Sequence, residues 1–389
     1  MKVLQINSVC GIRSTGRICT DIANVLAENQ HECKIAFGRE SVPEEHKKYA
    51  VQIGNQKNTY TDALLSRVFD NAGFNSKKAT KIFLEWVSEY DPDVIHLHNL
   101  HGYYINVELL FDYLKKAGKP VVWTLHDCWS FTGHCTHFDY IGCQKWKTGG
   151  CSKCPQKGNY PKSSFFDNSK NNYVKKLKAF TGVPNLTIVT PSEWLAGLVK
   201  ESFLKEYPVK VINNGIDLSV FKPTESDFRK RYKLQNKKIV LGVASSWSKS
   251  KGLDDFIKLS KLLSDEYKIV LVGLTKKQIS DIPKNILCIE RTNSTKELAE
   301  IYSAADVFVN PTYSDTYPTT NLEAQACGSP VITYKTGGSP ESVSENGIVE
   351  KGDINSLVTA ISNFSDIHIT KLQDKNAQYL KYLDIYEGR

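Results

Sequence analysis

Two carboxylates, Asp315 and Glu323, flank a proline and two threonines in the stretch YSDTYPTTNLEAQACGSP. Pro318 suits the first turn of a helix, and a helix beginning there would leave the backbone amides of Thr319 and Thr320 without intrahelical partners. Such amides favour a phosphate group, whereas carboxylates repel phosphate and bind hydroxyl groups instead. The stretch therefore predicts a site for a phosphorylated sugar, and a helix cap followed by an acidic turn is the alternative.

Two lysines offer positive charge earlier in the same half of the chain. In ASSWSKSKGLDDFI, Lys249 and Lys251 precede Gly252 where a predicted strand gives way to a helix. Lysine beside glycine at a helix N-terminus is an arrangement that binds anions. Solvated lysines in a surface turn are the alternative.

Imidazoles follow two predicted strands of the first half. His96 and His98 end the strand DVIHLH, and His126 and Asp127 follow VVWTL. A histidine in such a place usually satisfies a hydrogen bond of the core, yet ligands also bind beyond the carboxyl ends of parallel strands. Because the spacing fixes no metal site, contact of His126 with substrate is the functional prediction.

Four cysteines lie close together in a Gly-rich, aromatic insertion at 128–155. They are Cys135, Cys143, Cys151 and Cys154, spaced C-x7-C-x7-C-x2-C. A structural zinc ion would supply the energy that orders a loop with few apolar residues. Free thiols are the alternative, and Cys128, His134 or His137 could replace one ligand.

The elements that would position these groups alternate between strand and helix along the whole chain. Short runs rich in Val and Ile, such as KVLQIN (2–7) and IVLGVAS (239–245), are separated by helical stretches. Such runs are typical of buried parallel sheets. Two sets of them, divided by a polar stretch at 222–238, predict an α/β protein with two Rossmann-like parallel-sheet domains facing across a cleft.

Length and composition agree with this organisation. A chain of 389 residues exceeds one ordinary core, and 41% hydrophobic with 24% charged residues is typical of globular proteins. The sequence has no apolar run of the roughly 18 residues that span a membrane and no signal-peptide pattern, so we expect a cytoplasmic protein. A net charge of +8 suits anionic ligands or an anionic membrane surface. No nucleic-acid motif accompanies that charge, so we expect no nucleic-acid partner.

Several of these stretches together resemble family 4 of the retaining glycosyltransferases, which have the GT-B fold. The resemblance rests on VTPSEWLA, VINNGIDLSVF, VASSWSKSKG and PTYSDTYPTTNLEAQACGSPVITYKTGGSPE, and it runs over nearly the whole chain. TLHDCWSFTGHC and the cysteines after it are similar to a colanic-acid-type subgroup from bacterial surface-polysaccharide gene clusters. The fold implies an acceptor domain (1–218), a nucleotide-sugar domain (219–365) and a terminal helix (366–389) that returns to the first domain.

The resemblance also implies roles for individual residues. Asp315 and Glu323 occupy the family's acid-x7-acid positions, where the first acid contacts the donor sugar and the second the ribose. Lys251 matches the lysine that neutralises the leaving diphosphate, and His126 matches the histidine that reaches the reacting sugar. The other implied donor contacts are Gly16, Arg17, Lys249, Tyr317, Thr319 and Thr320.

Three departures from the family's pattern bear on these roles. Asp315 is shorter than the usual glutamate, so the sugar must lie closer or be placed differently. Pro318 replaces a glycine of the motif and removes one amide donor. Serines occupy positions 245–246, in the region where a basic residue usually accompanies the lysine, so Lys249 or Arg17 would have to substitute.

The family implies transfer of a sugar from a nucleoside diphosphate donor (UDP or GDP) to a growing, lipid-linked oligosaccharide of a capsule, O-antigen or exopolysaccharide. No D-x-D pair is placed to hold a divalent ion, so we expect no cofactor for catalysis. The lysine-rich stretch KNNYVKKLKAF (170–180) predicts contact with the inner face of the cell membrane. Three alternatives are another nucleotide-sugar enzyme such as an epimerase, an NAD-dependent oxidoreductase, and a non-catalytic sugar or nucleic-acid binder. The oxidoreductase is disfavoured because the dinucleotide glycine pattern is missing.

Overall fold

The computed structural model describes residues 1–388. The chain forms two compact units. The first comprises Met1–Asn213 together with the C-terminal segment from Asn376, and the second comprises Asn214–Lys375.

The first unit is built on a parallel sheet. Its strands are β1 (Lys2–Asn7), β2 (Glu32–Phe37), β3 (Ala50–Gln52), β4 (Val94–Leu97), β5 (Val121–Thr124), β6 (Leu186–Thr190) and β7 (Val209–Val211). Within the described residues these seven strands lie in the order β3-β2-β1-β4-β5-β6-β7, and every neighbouring pair is parallel. The order reverses between β1 and β4, the point at which such sheets bind ligands.

Helices connect these strands. They are α1 (Arg13–Glu28), α2 (Gln56–Phe69), α3 (Lys77–Tyr90), α4 (Val107–Ala117), α5 (Lys145–Thr148), α6 (Ser169–Phe180) and α7 (Glu193–Lys200). Their ends follow local chemistry: the Asn106 side chain caps α4 by accepting from the Leu109 amide at 3.0 Å. Gly118, with φ +64°, ends the same helix in a left-handed conformation.

The second unit repeats this architecture. Its strands are β8 (Lys238–Val243), β9 (Tyr267–Val272), β10 (Leu287–Ile289), β11 (Val307–Asn310), β12 (Val331–Tyr334) and β13 (Ile348–Val349). Over residues 1–388 these six form a parallel sheet in the order β10-β9-β8-β11-β12-β13. The helices are α8 (Phe228–Arg231), α9 (Leu253–Leu262), α10 (Lys276–Asp281), α11 (Thr295–Ala304), α12 (Thr319–Ala326) and α13 (Ile354–Ser362).

The last helix, α14 (Lys375–Tyr386), packs in the first unit. Tyr379, Tyr382 and Tyr386 recur at helical spacing and are all buried. The Tyr382 hydroxyl lies 3.0 Å from Thr124 Oγ1 at the end of β5. A tyrosine-lined face thus fixes this helix against the first sheet.

Both faces of the first sheet are buried, which explains its continuous apolar strands. Val3 and Leu4 of β1 are adjacent and fully buried, yet they belong to separate hydrophobic clusters on opposite faces. The predicted α/β class with two Rossmann-like domains is confirmed. The short strands β3 and β13 were not predicted, and the predicted polar divider at 222–238 contains α8.

Candidate functional site

Backbone segments converge tightly around Asp315 in the second unit. Its loop follows β11, which pairs with β8 where the strand order reverses. Gly252 and Gly337 have φ of +76° and +59°, and a Cβ on either would collide with a carbonyl oxygen, that of Pro311 or of Asp315 respectively. The Gly338 amide donates to the same Asp315 oxygen at 3.1 Å. Only glycine permits these approaches, so the loop is closely held.

The Asp315 carboxylate is paired with Lys251. Lysine Nζ donates to Oδ2 at 2.6 Å, and 36% of the lysine and 18% of the aspartate side chain are exposed. Lys251 lies in a one-turn 3-10 helix, Lys249–Lys251. The Tyr313 amide donates to the carbonyl of Ser250 at 2.8 Å, which ties that turn to the loop of Asp315. The fold thus joins a cation and an acid that the sequence separates by 64 positions.

Glu323 has a different environment. It lies in α12 with 5% exposure, and its Oε2 accepts from the Tyr302 hydroxyl at 3.0 Å. Tyr302 belongs to α11 and is fully buried. Tyr302 was not predictable from the sequence, because no motif marks a buried tyrosine 21 positions away from the acid. The second acid is therefore fixed in place, whereas the first is accessible and paired with a cation.

The N-terminus of α12 lies between the two acids. Pro318 is the N-cap residue, and among the described residues no side chain caps this end. Thr319 and Thr320 follow and are half-buried. Burial raises the pKa of Tyr317 to about 12, so its phenol stays protonated and can donate. Amides at a helix start together with Lys249 and Lys251 are suited to an anion.

In the first unit, His96, His98 and His126 form what we call the histidine row. His98 Nδ1 lies 3.0 Å from His126 Nε2, and His98 Nε2 lies 3.0 Å from Gln5 Oε1. His96 Nδ1 lies 2.6 Å from the Tyr386 hydroxyl. The predicted histidine cluster is thus continuous, and its partners Gln5 and Tyr386 were not predicted.

Hydrogen bonding determines where the protons of the row reside. The Gln5 amide nitrogen donates to the Cys19 carbonyl at 2.8 Å, so its oxygen faces His98 and accepts from Nε2. His98 Nδ1 then accepts from His126 Nε2, which leaves the lone pair of His126 on Nδ1. Burial lowers the pKa of His126 to about 4, although Asp127 acts in the opposite direction. Burial also holds the pKa of His96 and His98 well below the usual value.

Asp127 is turned toward His101. Its Oδ2 lies 2.7 Å from His101 Nε2, and its Oδ1 accepts from the Trp129 amide at 2.9 Å. Burial would raise the pKa of Asp127, but His101 and these hydrogen bonds lower it to about 2. The carboxylate therefore stays ionised and anchors the loop that carries His126.

Gly16 lies in the first turn of α1 and is buried. Its carbonyl accepts from the Gly11 amide at 3.1 Å, and a Cβ there would lie 3.0 Å from the Val9 side chain. Arg17 is exposed beside it. This geometry accounts for a tight strand-to-helix turn, and the implied donor contacts of Gly16 and Arg17 stay predictions.

The four predicted zinc ligands lie in one part of the insertion. Cys135 is buried, and Cys143, Cys151 and Cys154 are half-buried. Within residues 1–388, no three metal-ligating side chains form a ready coordination group. The zinc site stays a prediction.

The lysine-rich stretch 170–180 forms most of α6, and its membrane contact stays a prediction, although two of its residues are buried. Lys176 and Phe180 are fully buried, and Lys176 Nζ donates to the Trp129 carbonyl at 2.6 Å. These two residues point into the unit and cannot contact a membrane. Helices long and apolar enough to cross a membrane are absent from residues 1–388.

Comparison with known proteins supports a single family. The model of Glycosyltransferase Family 4 matches residues 15–220, more than half of the chain, and the model of Glycosyl transferases group 1 matches residues 224–380. A protein of Escherichia coli K12, named as the colanic acid biosynthesis glycosyl transferase WcaC, is 26% identical over 318 residues, which cover 80% of this chain and 76% of that protein.

A second relative is the N,N'-diacetylbacillosaminyl-diphospho-undecaprenol alpha-1,3-N-acetylgalactosaminyltransferase of Campylobacter jejuni. It is 31% identical over 152 residues, covering 36% of this chain and 40% of that enzyme. Among solved structures, Anabaena HepE in complex with UDP-glucose has a TM-score of 0.64 and 15% identity, covering 100% of this chain and 98% of that one. The fold is GT-B, and the chain is a glycosyltransferase that belongs to glycosyltransferase family 4.

Proposed function

We propose that this glycosyltransferase moves a sugar, with retention of configuration, from a UDP- or GDP-sugar to a lipid-linked oligosaccharide of a bacterial surface polysaccharide. The observation that carries the proposal is the 2.6 Å contact between Lys251 and Asp315 in the loop that enters α12. A cation near helix amides suits a diphosphate, and a carboxylate suits the hydroxyls of the attached sugar.

In this proposal, the chemistry needs no protein nucleophile. The acceptor hydroxyl attacks C1 from the face that the diphosphate leaves. The bond from C1 to the diphosphate oxygen breaks, the bond from C1 to the acceptor oxygen forms, and the acceptor proton passes to the leaving diphosphate. Positive charge grows on the sugar ring near Asp315, and negative charge grows on the diphosphate near Lys251, so both residues act on the transition state.

The ion pair itself would respond to the donor. Without donor, Lys251 and Asp315 compensate each other. A bound diphosphate would attract the ammonium group and release Asp315 for the sugar hydroxyls. Both side chains are partly exposed, so separating them costs only about 0–1 kcal/mol.

Glu323 and His126 have separate roles in this proposal. Glu323 is fixed by Tyr302 and would accept from the ribose hydroxyls in the ground state. His126 is neutral, and its Nδ1 would accept from a hydroxyl of the transferred sugar. The HepE structures in complex with UDP and UDP-glucose support testing uridine nucleotides first.

A cavity of about 670 Å³ in the first unit suits the acceptor. Arg39 and Arg67 line it together with Tyr60 and Leu64, so cationic groups meet an apolar wall. Guanidinium groups bind phosphate oxygens in bidentate geometry. The diphosphate of a lipid carrier would contact the arginines, and its hydrocarbon chain would follow the apolar wall. The Campylobacter relative is named for a diphospho-undecaprenol substrate.

Tyr60 and Leu64 of this cavity belong to a larger set of exposed apolar side chains. What we call the apolar patch consists of Tyr60, Leu64, Phe69, Phe165 and Phe166, with exposures of 48 to 70%. The rings of Phe69 and Phe166 stack at 5.8 Å. Exposed aromatic residues beside arginine are typical of membrane interfaces. The patch therefore supports docking at the inner face of the cell membrane, in place of the full 170–180 stretch.

The proposal is tested by incubating the protein with UDP- and GDP-sugars and polyprenyl diphosphate-linked acceptors. We expect release of nucleoside diphosphate and a product whose anomeric configuration, measured by NMR, matches the donor. An epimerised donor without release of diphosphate, or thermal stabilisation by NAD alone, would contradict the proposal.

Membrane docking is tested separately with liposomes. Replacing Phe165 and Phe166 together by serine should reduce co-sedimentation with anionic liposomes several-fold. The matched control is Val174→Ser, since Val174 is an equally exposed apolar residue on α6. Equal loss in both variants would argue against the apolar patch.

A further inference from the structure

Tyr160 is an exposed aromatic residue that the proposed chemistry does not use. It follows the insertion at 128–155 and is 42% exposed. Its hydroxyl lies 3.1 Å from His101 Nδ1, and the two rings meet edge to face with centres 5.4 Å apart. His101 is buried. The tyrosine is therefore held through its hydroxyl by a buried residue, while part of its surface is open to solvent.

A chain of hydrogen bonds keeps this tyrosine in one orientation. His101 Nε2 lies 2.7 Å from Asp127 Oδ2, and because an ionised carboxylate only accepts, Nε2 donates to it. The other carboxylate oxygen accepts from the Trp129 amide at 2.9 Å. The loops after β4 and β5 thus hold the Tyr160 ring. A ring that is already ordered loses less side-chain entropy when a ligand binds to it.

Tyr103 places this ring beside the acceptor cavity. The rings of Tyr103 and Tyr160 lie 6.1 Å apart at 75°, and Tyr103 lines the cavity together with Arg39. The central guanidinium carbon of Arg39 lies 5.7 Å from the centre of the Tyr103 ring. Tyr103 has φ +68°, a left-handed conformation that is uncommon for a bulky residue. Such strain persists where the surrounding structure imposes it and clusters at ligand-binding sites.

The segment after Tyr160 is joined to the same cavity. The Ser164 amide donates to the Arg67 carbonyl at 2.7 Å, and the Phe166 amide donates to the Val68 carbonyl at 3.2 Å. Arg67 lines the cavity. Tyr160 is therefore connected to the cavity twice, through the Tyr103 ring and through the backbone of this segment.

The sugar of a lipid-linked acceptor suits an exposed aromatic ring at this place. A pyranose presents C–H groups on its faces, and an aromatic side chain offers a large, rigid apolar surface to them. The carrier diphosphate is proposed to contact Arg39 and Arg67, so the sugar bonded to it lies directly beside those arginines. Tyr160 is tied to Asp127, the neighbour of His126, and so it lies on the side of the cavity toward the histidine row.

We propose that the Tyr160 ring binds a face of the acceptor sugar that is bonded to the carrier diphosphate, and that His101 and Asp127 are positioning residues for this ring. This role rests on the proposed function and adds a specificity contact to it. A carrier diphosphate without a sugar would use the arginines and the apolar wall alone.

Kinetics of Tyr160→Ala, with an acceptor that the wild-type protein uses, test the contact. The KM for the acceptor should rise about five- to tenfold, and the KM for the nucleotide sugar should not change. Tyr160→Phe keeps the ring and its packing but loses the hydrogen bond to His101, so its acceptor KM should rise only about threefold. The matched control is Tyr140→Ala, since Tyr140 of the insertion is also 42% exposed; both of its KM values should equal those of the wild type.

Two further measurements separate the sugar contact from other roles of Tyr160. Farnesyl diphosphate, a short carrier without a sugar, should inhibit the wild type and Tyr160→Ala equally. In the Tyr160→Ala background, His101→Asn should not raise the acceptor KM further, because His101 acts through the ring. An unchanged acceptor KM in Tyr160→Ala, an equal loss of farnesyl diphosphate inhibition, or a further rise from His101→Asn would overturn the proposal. Absence of transfer by the wild type would instead contradict the proposed function itself.

Discussion

Replacing Asp315 with asparagine separates charge from geometry at the proposed donor site. Asparagine keeps the shape and can still accept the hydrogen bond that Lys251 donates at 2.6 Å, but it carries no charge. If the carboxylate acts on a positively charged sugar ring, kcat should fall by about 100- to 1,000-fold, or roughly 3–4 kcal/mol, as when other key charge-stabilising groups are lost.

The affinity for the nucleoside diphosphate should not fall in Asp315→Asn. Asp315 competes with the diphosphate for the Lys251 ammonium, so its neutralisation should leave affinity unchanged or raise it. The folding stability should change little, because both side chains are partly exposed and such pairs contribute about 0.2–1 kcal/mol. The loss of activity therefore exceeds any loss of stability.

Steady-state kinetics, calorimetry with UDP or GDP, and thermal melting measure the three quantities separately. Asp254→Asn is the matched control, since Asp254 is an exposed carboxylate in the first turn of α9. If Asp315→Asn keeps kcat within about threefold of the wild type while losing stability, the pair is architectural and the assignment of the donor site is wrong.

Two further predictions follow from the buried partners. Tyr302→Phe should weaken nucleoside diphosphate binding about fivefold, near 1 kcal/mol, and leave kcat unchanged, because Glu323 loses the hydrogen bond that the Tyr302 hydroxyl donates. An unchanged Kd in calorimetry would contradict the ribose role of Glu323. The first unit should lose stability as pH falls from 6.5 toward 4, because the histidine row stays neutral when folded and binds protons when unfolded. The slope per histidine is at most about 1.4 kcal/mol per pH unit. The raised pKa of His134 changes stability at and above its unfolded value near 6.5, outside this range. A melting temperature that is constant or rises as pH falls from 6.5 toward 4 would refute the prediction.

The strands of both sheets were predictable because they are buried on two faces and read as unbroken apolar runs. The missed strands, β3 and β13, have three and two residues at the edges of their sheets. An edge strand of this length buries too little side-chain area to leave a hydrophobic pattern. Strand position was therefore predictable where packing dictates composition, and not where pairing alone defines the strand.

The acids and the lysine of the proposed donor site were predictable from local motifs, but their partners were not. Tyr302 and Gln5 contact site residues across 21 and 93 positions, and a sequence gives no orientation for a side chain at that distance. Lys176 was predictable in principle. It precedes the apolar Phe180 by four residues, so both lie on one helical face, which is buried.

The state of the histidine row bears on how the proposed reaction could run. With its pKa lowered to about 4, only about one His126 in a thousand is protonated at pH 7, so it cannot serve as the general acid. As a base it is about as weak as an ordinary carboxylate. His126 is therefore suited to orienting a hydroxyl through Nδ1, and the acceptor proton needs another destination. The leaving diphosphate is such a destination, because it becomes more basic as its bond to C1 breaks. On this reasoning, the pH dependence of kcat should have the same shape in the wild type and in His126→Asn, although the variant lowers kcat at every pH. If the wild-type curve of kcat against pH has a rising or falling limb that His126→Asn lacks, proton transfer is assigned to His126, and proton transfer to the diphosphate is refuted.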